Sequence, residues 1–288
     1  MQARYFPWRD RSGRLSALKL CTFAAVLLPG LSVALGWELG WLAPKPVTEA
    51  IHETGLWAVR ILVASLAVSP LRRIAQWPKL IAVRRMLGLA VLAYAAVHLT
   101  LYIVDQKFDL AHVATEIALR FYLTIGFIAL LGFAALGATS TDAMIKRLGG
   151  LAWNRLHALV YPIAILALLH FMIQSKLDVS QPVTMTGLFL ILMGQRLLQR
   201  YDLGDSIVAL AGLAAAASIL TASFETAWYH VRNGIDVADV LGANLGFDDA
   251  VRPAWFVLAA GVVVVVLRLM RRFWARRPRP APRLQVAE

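Results

Sequence analysis

The stretch WNRLHALVYPIAILALLHFMIQ, residues Trp153 to Gln174, decides how the rest of the chain is interpreted. A helix rises 1.5 Å per residue, so this apolar run is long enough to cross a hydrocarbon core of about 30 Å. It nevertheless carries His157 near its start and His170 near its end. An imidazole inside hydrocarbon is costly without a partner, so a histidine in such a position is a functional candidate.

The composition extends this interpretation to the whole chain. Of its 288 residues, 59% are hydrophobic and only 16% are charged, whereas a soluble domain carries about 25% charged residues. The mean hydropathy is +0.66. The sequence therefore predicts an all-α, polytopic membrane helical bundle.

Eight apolar runs follow one another along the chain, each of a length suited to a membrane-spanning helix. The sixth is short and contains Gln195, so it is the weakest of them. The predicted spans are Leu18–Gly36, Ile51–Leu71, Arg85–Val104, Ile117–Leu136, Trp153–Gln174, Val183–Leu198, Ser206–Trp228 and Ala254–Met270.

The basic residues predict the orientation of the spans. Most of the 29 lysines and arginines lie in the two terminal segments and in every second connection between spans. Cytoplasmic loops carry such an excess of Lys and Arg, so both termini are predicted to be cytoplasmic. The net charge of +12 therefore reflects membrane topology, and it does not indicate binding to nucleic acid.

Two further features of the sequence limit the cofactors that the chain is expected to bind. The single cysteine, Cys21, excludes an intramolecular disulfide and leaves too few thiolates for an iron–sulfur cluster or a Cys-based zinc site. The sequence contains no dinucleotide fingerprint and no phosphate-binding glycine loop, so the chain itself is not expected to bind NAD or ATP.

Two histidines on different spans are predicted to lie at the same depth. His98 is 13 residues beyond Arg85, and His170 is 15 residues beyond Arg155, which places both about 20 Å from the cytoplasmic face. A haem with two histidine ligands needs imidazoles that meet the iron from opposite sides. For one histidine considered alone, helix packing through a hydrogen bond to a neighbouring helix is the more common role. The matched depth favours haem, with His98 and His170 as axial ligands.

His157 lies near the cytoplasmic end of the fifth span. A second haem at its depth would need a ligand 14 residues before His98, where the sequence has Arg84. A guanidinium stays protonated and cannot bind iron, so a second bis-histidine haem is not predicted. His157 is left with several roles: contact with a quinone or flavin, ligation of a haem with a non-histidine partner, or a structural role.

Two arginines are predicted to contact haem propionates. Arg60 lies inside the second span, about 18 Å from the cytoplasmic face and so nearly at the depth of His98. A buried arginine needs an anion; pairing with Glu53 or extension toward the interface is the alternative. Arg120, at the outer start of the fourth span, is the second propionate candidate. The other histidines, His52, His112 and His230, are predicted to be exposed or interfacial.

Several runs are similar to those of one known family. They are RRMLGLAVLAYAAVHLTLY from residue 84, RFYLTIGFIALL from residue 120, and ATSTDAMIKRLGGLAWNRLHALVYPIAILALLHF from residue 138. Over residues 15–200 or so the chain resembles the MsrQ family. These proteins are haem-binding membrane subunits of the bacterial periplasmic methionine sulfoxide reductase system, within the ferric-reductase-like transmembrane superfamily.

The resemblance implies b-type haem and a functional role for His98, His157 and His170. It also implies a bacterial inner-membrane location and a periplasmic, molybdopterin-containing partner that reduces oxidised methionine in proteins. Electrons would come from the quinol pool or a cytoplasmic flavin reductase, and some members are associated with FMN. One departure is Phe121, between Arg120 and Tyr122, where the family has proline.

The chain divides into four predicted segments. Residues 1–17 form a cytoplasmic N-terminal segment, 18–200 a six-helix haem-binding core, 201–271 two additional spans, and 272–288 a basic, Pro-rich cytoplasmic tail. The additional spans enclose a predicted outer loop of 25 residues, Tyr229 to Pro253, that either docks a partner or tethers two helices. Its acids are Asp236, Asp239, Asp248 and Asp249.

The combined hypothesis is a membrane electron-transfer subunit whose final catalytic site lies on a partner. Two alternatives belong to other classes. One is a proton-coupled transporter, although the sequence shows no internal repeat of the kind many transporters have. The other is a stand-alone membrane metal reductase, which would normally need a fused flavin and nicotinamide domain.

Overall fold

The computed structural model describes residues 6–10, 12–176, 178–247 and 250–275, and in this part of the chain it is helical, without a β-sheet. The predicted all-α bundle is confirmed. The helices are α1 Ala17–Glu38, α2 Pro46–Ile74, α3 Arg84–Asp105, α4 Leu110–Leu119, α5 Phe121–Ala138, α6 Asp142–Leu148, α7 Gly150–His157, α8 Val160–Gln174, α9 Ser180–Arg200, α10 Ile207–Asn233, α11 Val237–Leu245 and α12 Pro253–Ala275, with a short 3-10 helix at Pro78–Val83.

Seven helical segments among the described residues are long and apolar enough to cross a membrane. The predicted sixth span forms α9, a helix of 21 residues. It is long enough to span, but it is not among the seven because it carries polar residues such as Gln195 and Arg196. The chain is a multi-pass membrane protein.

The predicted fourth span starts too early, because the helix is interrupted at Arg120. This residue is extended, with φ −99° and ψ 104°, and it separates α4 from α5. The hydroxyl of Thr124 donates to the carbonyl of Ile117 at 2.6 Å. This hydrogen bond satisfies a carbonyl near the end of α4 and so stabilises the interruption.

The predicted fifth span is made of two helices, α7 and α8, joined at Ala158 and Leu159. Pro162 explains the junction, because it has no N–H to donate to the carbonyl of residue 158 and its ring collides with that carbonyl. Ala158 and Leu159 keep near-helical dihedral angles. The two helices are therefore counted as one segment, Gly150–Gln174, that is long enough to span.

The predicted 25-residue outer loop is partly helical. Helix α10 continues to Asn233 and ends because Gly234 adopts a left-handed conformation with φ 70°. Helix α11 follows, and the side chain of Asp236 accepts a hydrogen bond from the amide of Ala238 at its start. Asp248, Asp249 and the tail beyond residue 275 lie outside the described residues.

The buried core surrounds α2. Half of the apolar window of α2 is buried inside the bundle, the largest share among the seven candidate spans. Buried side chains of α2, α3, α5, α8 and α9 form one cluster that includes Leu62, Val91, Phe133 and Ala164. This cluster fixes the positions of the two histidine-bearing helices, α3 and α8, relative to α2 and α5.

The last two long helices pack on each other and on α9. Ile191, Ala217 and Val257 form a small buried cluster between the three helices. Gly261 of α12 lies so close to Ala214 of α10 that an added Cβ would be 2.3 Å from the alanine Cβ. The predicted additional helices therefore cover the α9 side of the bundle.

Helix α1 is attached to the bundle through Tyr94 of α3. The tyrosine hydroxyl donates to the carbonyl of Val26 and accepts from the amide of Gly30, both at 2.7 Å. These two backbone groups are an i and i+4 pair that would otherwise bond to each other. The hydroxyl is thus inserted into the hydrogen-bond ladder of α1, next to Pro29.

Candidate functional site

The structure brings His98 of α3 and His170 of α8 together. Their ring centroids are 6.3 Å apart and the ring planes are nearly perpendicular, at 84°. An imidazole nitrogen lies about 1.1 Å from its ring centre and binds a transition metal at about 2.0–2.1 Å. Two imidazoles on opposite sides of one metal therefore have centroids roughly 6.2–6.4 Å apart. The observed spacing has room for one metal ion between the rings.

Each of the two rings is anchored through Nδ1. His98 Nδ1 contacts the carbonyl of Ile51, and His170 Nδ1 contacts the carbonyl of Tyr122, both at 2.8 Å. A carbonyl can only accept, so both Nδ1 atoms must carry the proton. Both Nε2 atoms are then left with their lone pair, the form that binds a metal.

The two anchors share one backbone arrangement. Four residues after each accepting carbonyl, on the same helix, there is a glycine: Gly55 after Ile51, and Gly126 after Tyr122. An added Cβ would lie 2.9 Å from His98 Nδ1 at Gly55 and 2.7 Å from His170 Nδ1 at Gly126. Only glycine leaves space for the imidazole at either position. These two glycines are site residues that the sequence analysis missed.

The donor set favours a macrocycle over an ordinary protein metal site. Among the described residues, no group of three or more His, Cys, Asp or Glu side chains is positioned to hold a metal ion. Protein sites for zinc usually provide three or four ligands. Two opposed imidazoles suit a metal whose other four positions belong to a porphyrin. The residues present therefore fit haem.

Arg60 does not pair with Glu53, one of the predicted alternatives. Its Nη2 donates to the side-chain oxygen of Gln181 on α9 at 3.0 Å, and its guanidinium lies 4.8 Å from the ring centroid of Trp57. The part of α2 that contacts His98 is Ile51 to Gly55, so Arg60 is about 7.5 Å further along the helix axis. No carboxylate among the described residues forms an ion pair with Arg60.

Arg120 lies at the exposed start of α5. It forms an ion pair with Glu116 and donates to the hydroxyl of Tyr122 at 3.1 Å. The hydrogen bond with Tyr122 raises the pKa of the Arg120 guanidinium above its ordinary value. The carbonyl of the same Tyr122 accepts from His170, so Arg120 adjoins one of the two anchors.

His157 is not part of the pair. It ends α7, where Trp153 stacks on its ring at 3.9 Å between centroids and Nε2 lies 3.2 Å from the hydroxyl of Thr139. Arg84 lies close enough to His157 to interact with it electrostatically. The remaining histidines, His52, His112 and His230, are exposed.

Fold and site together define a class of protein. The chain is a multi-pass helical membrane bundle in which two helices bring a pair of imidazole rings within 6.3 Å of each other, between centroids. A sequence family described as "Ferric reductase like transmembrane component" matches residues 54–168, a range that includes His98 and His157 and ends just before His170.

Similar chains identify the family more narrowly. Three relatives named "Protein-methionine-sulfoxide reductase heme-binding subunit MsrQ" come from Xanthomonas campestris pv. campestris, Rhodospirillum rubrum and Herminiimonas arsenicoxydans. They are 41%, 39% and 37% identical to this chain over 66%, 66% and 69% of its length, and the matches cover 90%, 89% and 93% of the relatives. The chain belongs to the MsrQ family. No solved structure matches it.

Proposed function

We propose that this protein is a membrane electron-transfer subunit that holds haem b between His98 and His170 and serves a methionine sulfoxide reductase. The approach of these two imidazole rings to 6.3 Å between their centroids carries the proposal. The names of the relatives, which describe heme-binding subunits of a protein-methionine-sulfoxide reductase, support it. When bound, haem supplies one-electron chemistry, and the protein positions it.

The residues around the pair have separate roles in this proposal. His98 and His170 would hold the haem iron through their Nε2 atoms. The carbonyls of Ile51 and Tyr122 hold each Nδ1 proton and so fix the tautomer and the ring orientation. Hydrogen bonding of Nδ1–H to an acceptor also makes Nε2 more basic, which strengthens it as a ligand.

Arg60 is the better candidate for a propionate contact. Its observed partner, Gln181, is neutral, so its positive charge is not balanced by a carboxylate among the described residues. The charge of Arg120 is already balanced by Glu116, and its side chain is about half exposed. We therefore assign Arg60 to a propionate and give Arg120 a supporting role next to Tyr122.

His157 suits contact with the electron donor's cofactor, a quinone or FMN. Its Nε2 is engaged by Thr139 and one ring face is covered by Trp153, which leaves it less free than His98 or His170 to bind iron. Quinol or a cytoplasmic flavin reductase would provide electrons at this end. The other end, in the outer half of the membrane, would serve a periplasmic partner that carries molybdopterin.

The orientation in this proposal follows from charge. The clusters of lysine and arginine place both termini and the His157 end on the cytoplasmic side of a bacterial inner membrane. His98 and His170 are then nearer to the periplasm, where the partner would accept electrons. The division into a core of residues 18–200 and two additional helices belongs to the same proposal.

Absorption spectra of purified variants test the ligand assignment. We expect His98→Ala and His170→Ala to abolish the reduced-minus-oxidised haem b signal, because each removes one of two axial nitrogens. His112→Ala is the matched control, since His112 is exposed and lies outside the site. It should keep the wild-type spectrum.

The same spectra distinguish the alternative functions. An unchanged signal in both His98→Ala and His170→Ala would refute these ligands. The absence of any haem signal from the wild-type protein would instead favour a proton-coupled transporter. Haem reduction without electron transfer to a periplasmic reductase would favour a stand-alone metal reductase.

A further inference from the structure

A basic cavity lies at the end of α2 that is distant from the histidine pair. Its volume is about 510 Å³, and the ends of α2 and α9 enclose it together with α12. Three arginines line it: Arg72 and Arg73 from the last turn of α2, and Arg268 from α12. Arg72 is 17 residues beyond Gly55, so the cavity is about 25 Å along α2 from the imidazole pair.

The charges of two of these arginines are not balanced within the described chain. Arg268 forms an ion pair with Asp205 at 2.9 Å. Arg73 donates to the neutral side-chain oxygen of Gln199 at 2.6 Å. The guanidinium of Arg72 has no hydrogen bond or ion pair among the described residues. Asp202 also lines the cavity, but it forms no ion pair with any arginine in the part of the chain that the structure describes.

The cavity lies at the level expected for lipid headgroups. It is at the ends of helices that are long and apolar enough to cross a membrane. Trp77 and Leu269, which adjoin the lining residues Gln76 and Arg268 in sequence, are 44% and 45% exposed. Tryptophan is enriched at membrane–water interfaces, and basic pockets between membrane helices commonly bind anionic headgroups.

The helix termini around the cavity carry partial charges of both signs. The carbonyl ends of α2 and α9 carry partial negative charges of about half an elementary charge each. Helix α10 begins at the same end, after Ser206, and its amides carry a similar positive charge. With Asp202 and Asp205 counted against the three arginines, the groups that line the cavity keep a small net positive charge. The site therefore attracts an anion, mainly through Arg72 and Arg73.

We propose that this cavity binds a phosphate group, with Arg72 and Arg73 as its main donors. Guanidinium groups match phosphate oxygens with two parallel hydrogen bonds, and the volume suits a small headgroup. Two sources share this chemistry: an acidic phospholipid and a soluble phosphate ester. The site joins the end of α2 to the two additional helices, so its occupant would bridge the two parts of the bundle.

Binding measurements on the full-length protein test the proposal. The probes are phosphatidylglycerol in phosphatidylcholine nanodiscs, followed by native mass spectrometry, and glycerol 3-phosphate, followed by calorimetry in detergent. Each arginine near an anionic group contributes enough for about a fivefold change in affinity. We therefore expect about fivefold weaker binding for Arg72→Gln and about 25-fold weaker binding when Arg73→Gln is added.

Two further variants make the test specific. Arg200→Gln removes an exposed arginine at the end of α9 that does not line the cavity, and binding should change less than twofold. Asp205→Asn removes the carboxylate that engages Arg268, so binding should become several-fold tighter. If the Arg72, Arg73 double variant does not fold, the single variants and Asp205→Asn carry the test.

The outcomes separate the two sources. Arginine-dependent retention of phosphatidylglycerol identifies a phospholipid site, and arginine-dependent binding of glycerol 3-phosphate identifies a soluble ester; either supports the proposal. Binding of neither probe, or equal losses in Arg200→Gln and Arg72→Gln, would overturn it. None of these outcomes depends on the haem spectrum, so the test is independent of the proposed electron transfer.

Discussion

At the scale of single residues, the arrangement of the site depends on the glycines opposite the histidines as well as on the histidines themselves. Gly55 and Gly126 each leave the space that an imidazole fills, and each lies one helical turn after the carbonyl that anchors the ring. Alanine has the higher helix propensity at both positions, by about 1 kcal/mol. The glycines are therefore explained by the close approach of the rings and not by helix formation.

This reasoning predicts that Gly126→Ala disturbs the site without unfolding the protein. The added methyl would be 2.7 Å from His170 Nδ1, so the ring must move away from the Tyr122 carbonyl. We expect a haem signal that is weakened or shifted, and the same for Gly55→Ala. The measurement is the reduced-minus-oxidised spectrum together with thermal unfolding.

Gly88→Ala is the control for this pair of variants. An added Cβ at Gly88 of α3 would meet no atom within 4 Å, so the spectrum should be unchanged and stability slightly increased. Wild-type spectra in both Gly55→Ala and Gly126→Ala would show that the rings do not need this space.

The sequence predicts the histidine pair but not its anchors. Counting residues from the basic helix starts brings His98 and His170 to one level, since helical rise is regular. Counting residues gives the depth of the Arg60 guanidinium less accurately, because it ignores the tilt of the helix and the direction of the side chain. A glycine that makes room for an imidazole can be recognised only when the helix that carries the histidine is known to pack against it. The sequence alone therefore does not reveal the roles of Gly55 and Gly126.

At the scale of helices, the insertion of Tyr94 determines how α1 is held. Only 6% of the apolar window of α1 is buried inside the bundle, so few side-chain contacts attach it. The hydroxyl of Tyr94 replaces one backbone hydrogen bond of α1 with two bonds to the core. One side chain thereby joins a peripheral helix to the centre of the fold.

Tyr94→Phe should therefore loosen α1. The change removes two hydrogen bonds, worth about 1 kcal/mol each, and α1 can recover one by restoring its own ladder. We expect a loss of about 1–2 kcal/mol in stability, measured by unfolding in detergent, and faster proteolysis before residue 40. The control Tyr201→Phe alters an exposed tyrosine; an equal loss there would contradict this role for Tyr94.

Helix boundaries illustrate what a hydrophobic profile can and cannot predict. The profile identifies the apolar runs, since a membrane span needs a certain length of apolar sequence. It does not detect the interruption at Arg120, because α4 and α5 are both apolar and the break depends on the hydrogen bond from Thr124 to Ile117. It also gives Trp153–Gln174 as one span, although Pro162, four residues after Ala158, separates α7 from α8.

At the scale of the whole molecule, a buried ion pair joins the last two long helices, α10 and α12, at the end where α11 lies. Glu225 of α10 is fully buried, and its carboxylate is 3.0 Å from Arg252, which precedes α12 and is 23% exposed. Asn244 of α11 is also buried beside this region. The pair connects the end of α10 to the start of α12 across the segment that carries α11.

Breaking this pair should cost more than breaking an exposed one. Arg252→Gln leaves the Glu225 carboxylate buried and unpaired, with an expected loss of about 3 kcal/mol. Adding Glu225→Gln should restore part of the stability, because the isolated charge is then removed. A double-mutant cycle measured by unfolding in detergent gives the coupling between the two residues.

The exposed pair Arg85 and Asp142 provides the comparison. Its side chains are 45% and 74% exposed, and such pairs contribute about 0–1 kcal/mol. Equal effects at the two pairs would show that Glu225 and Arg252 are not shielded from solvent. The sequence placed Glu225 inside the seventh span but gave no sign of its partner, which lies 27 residues later.

The anchoring of both imidazoles by main-chain oxygens has a consequence for how the protein can evolve. A peptide carbonyl is present whatever amino acid occupies the position, and it does not ionise over the biological pH range. Substitution at Ile51 or Tyr122 therefore leaves the hydrogen-bond acceptor in place, and acidity of the surroundings does not remove it. If His98 and His170 hold haem as proposed, substitutions in the walls around the rings can change its redox potential while the same main-chain oxygens keep both imidazoles in place.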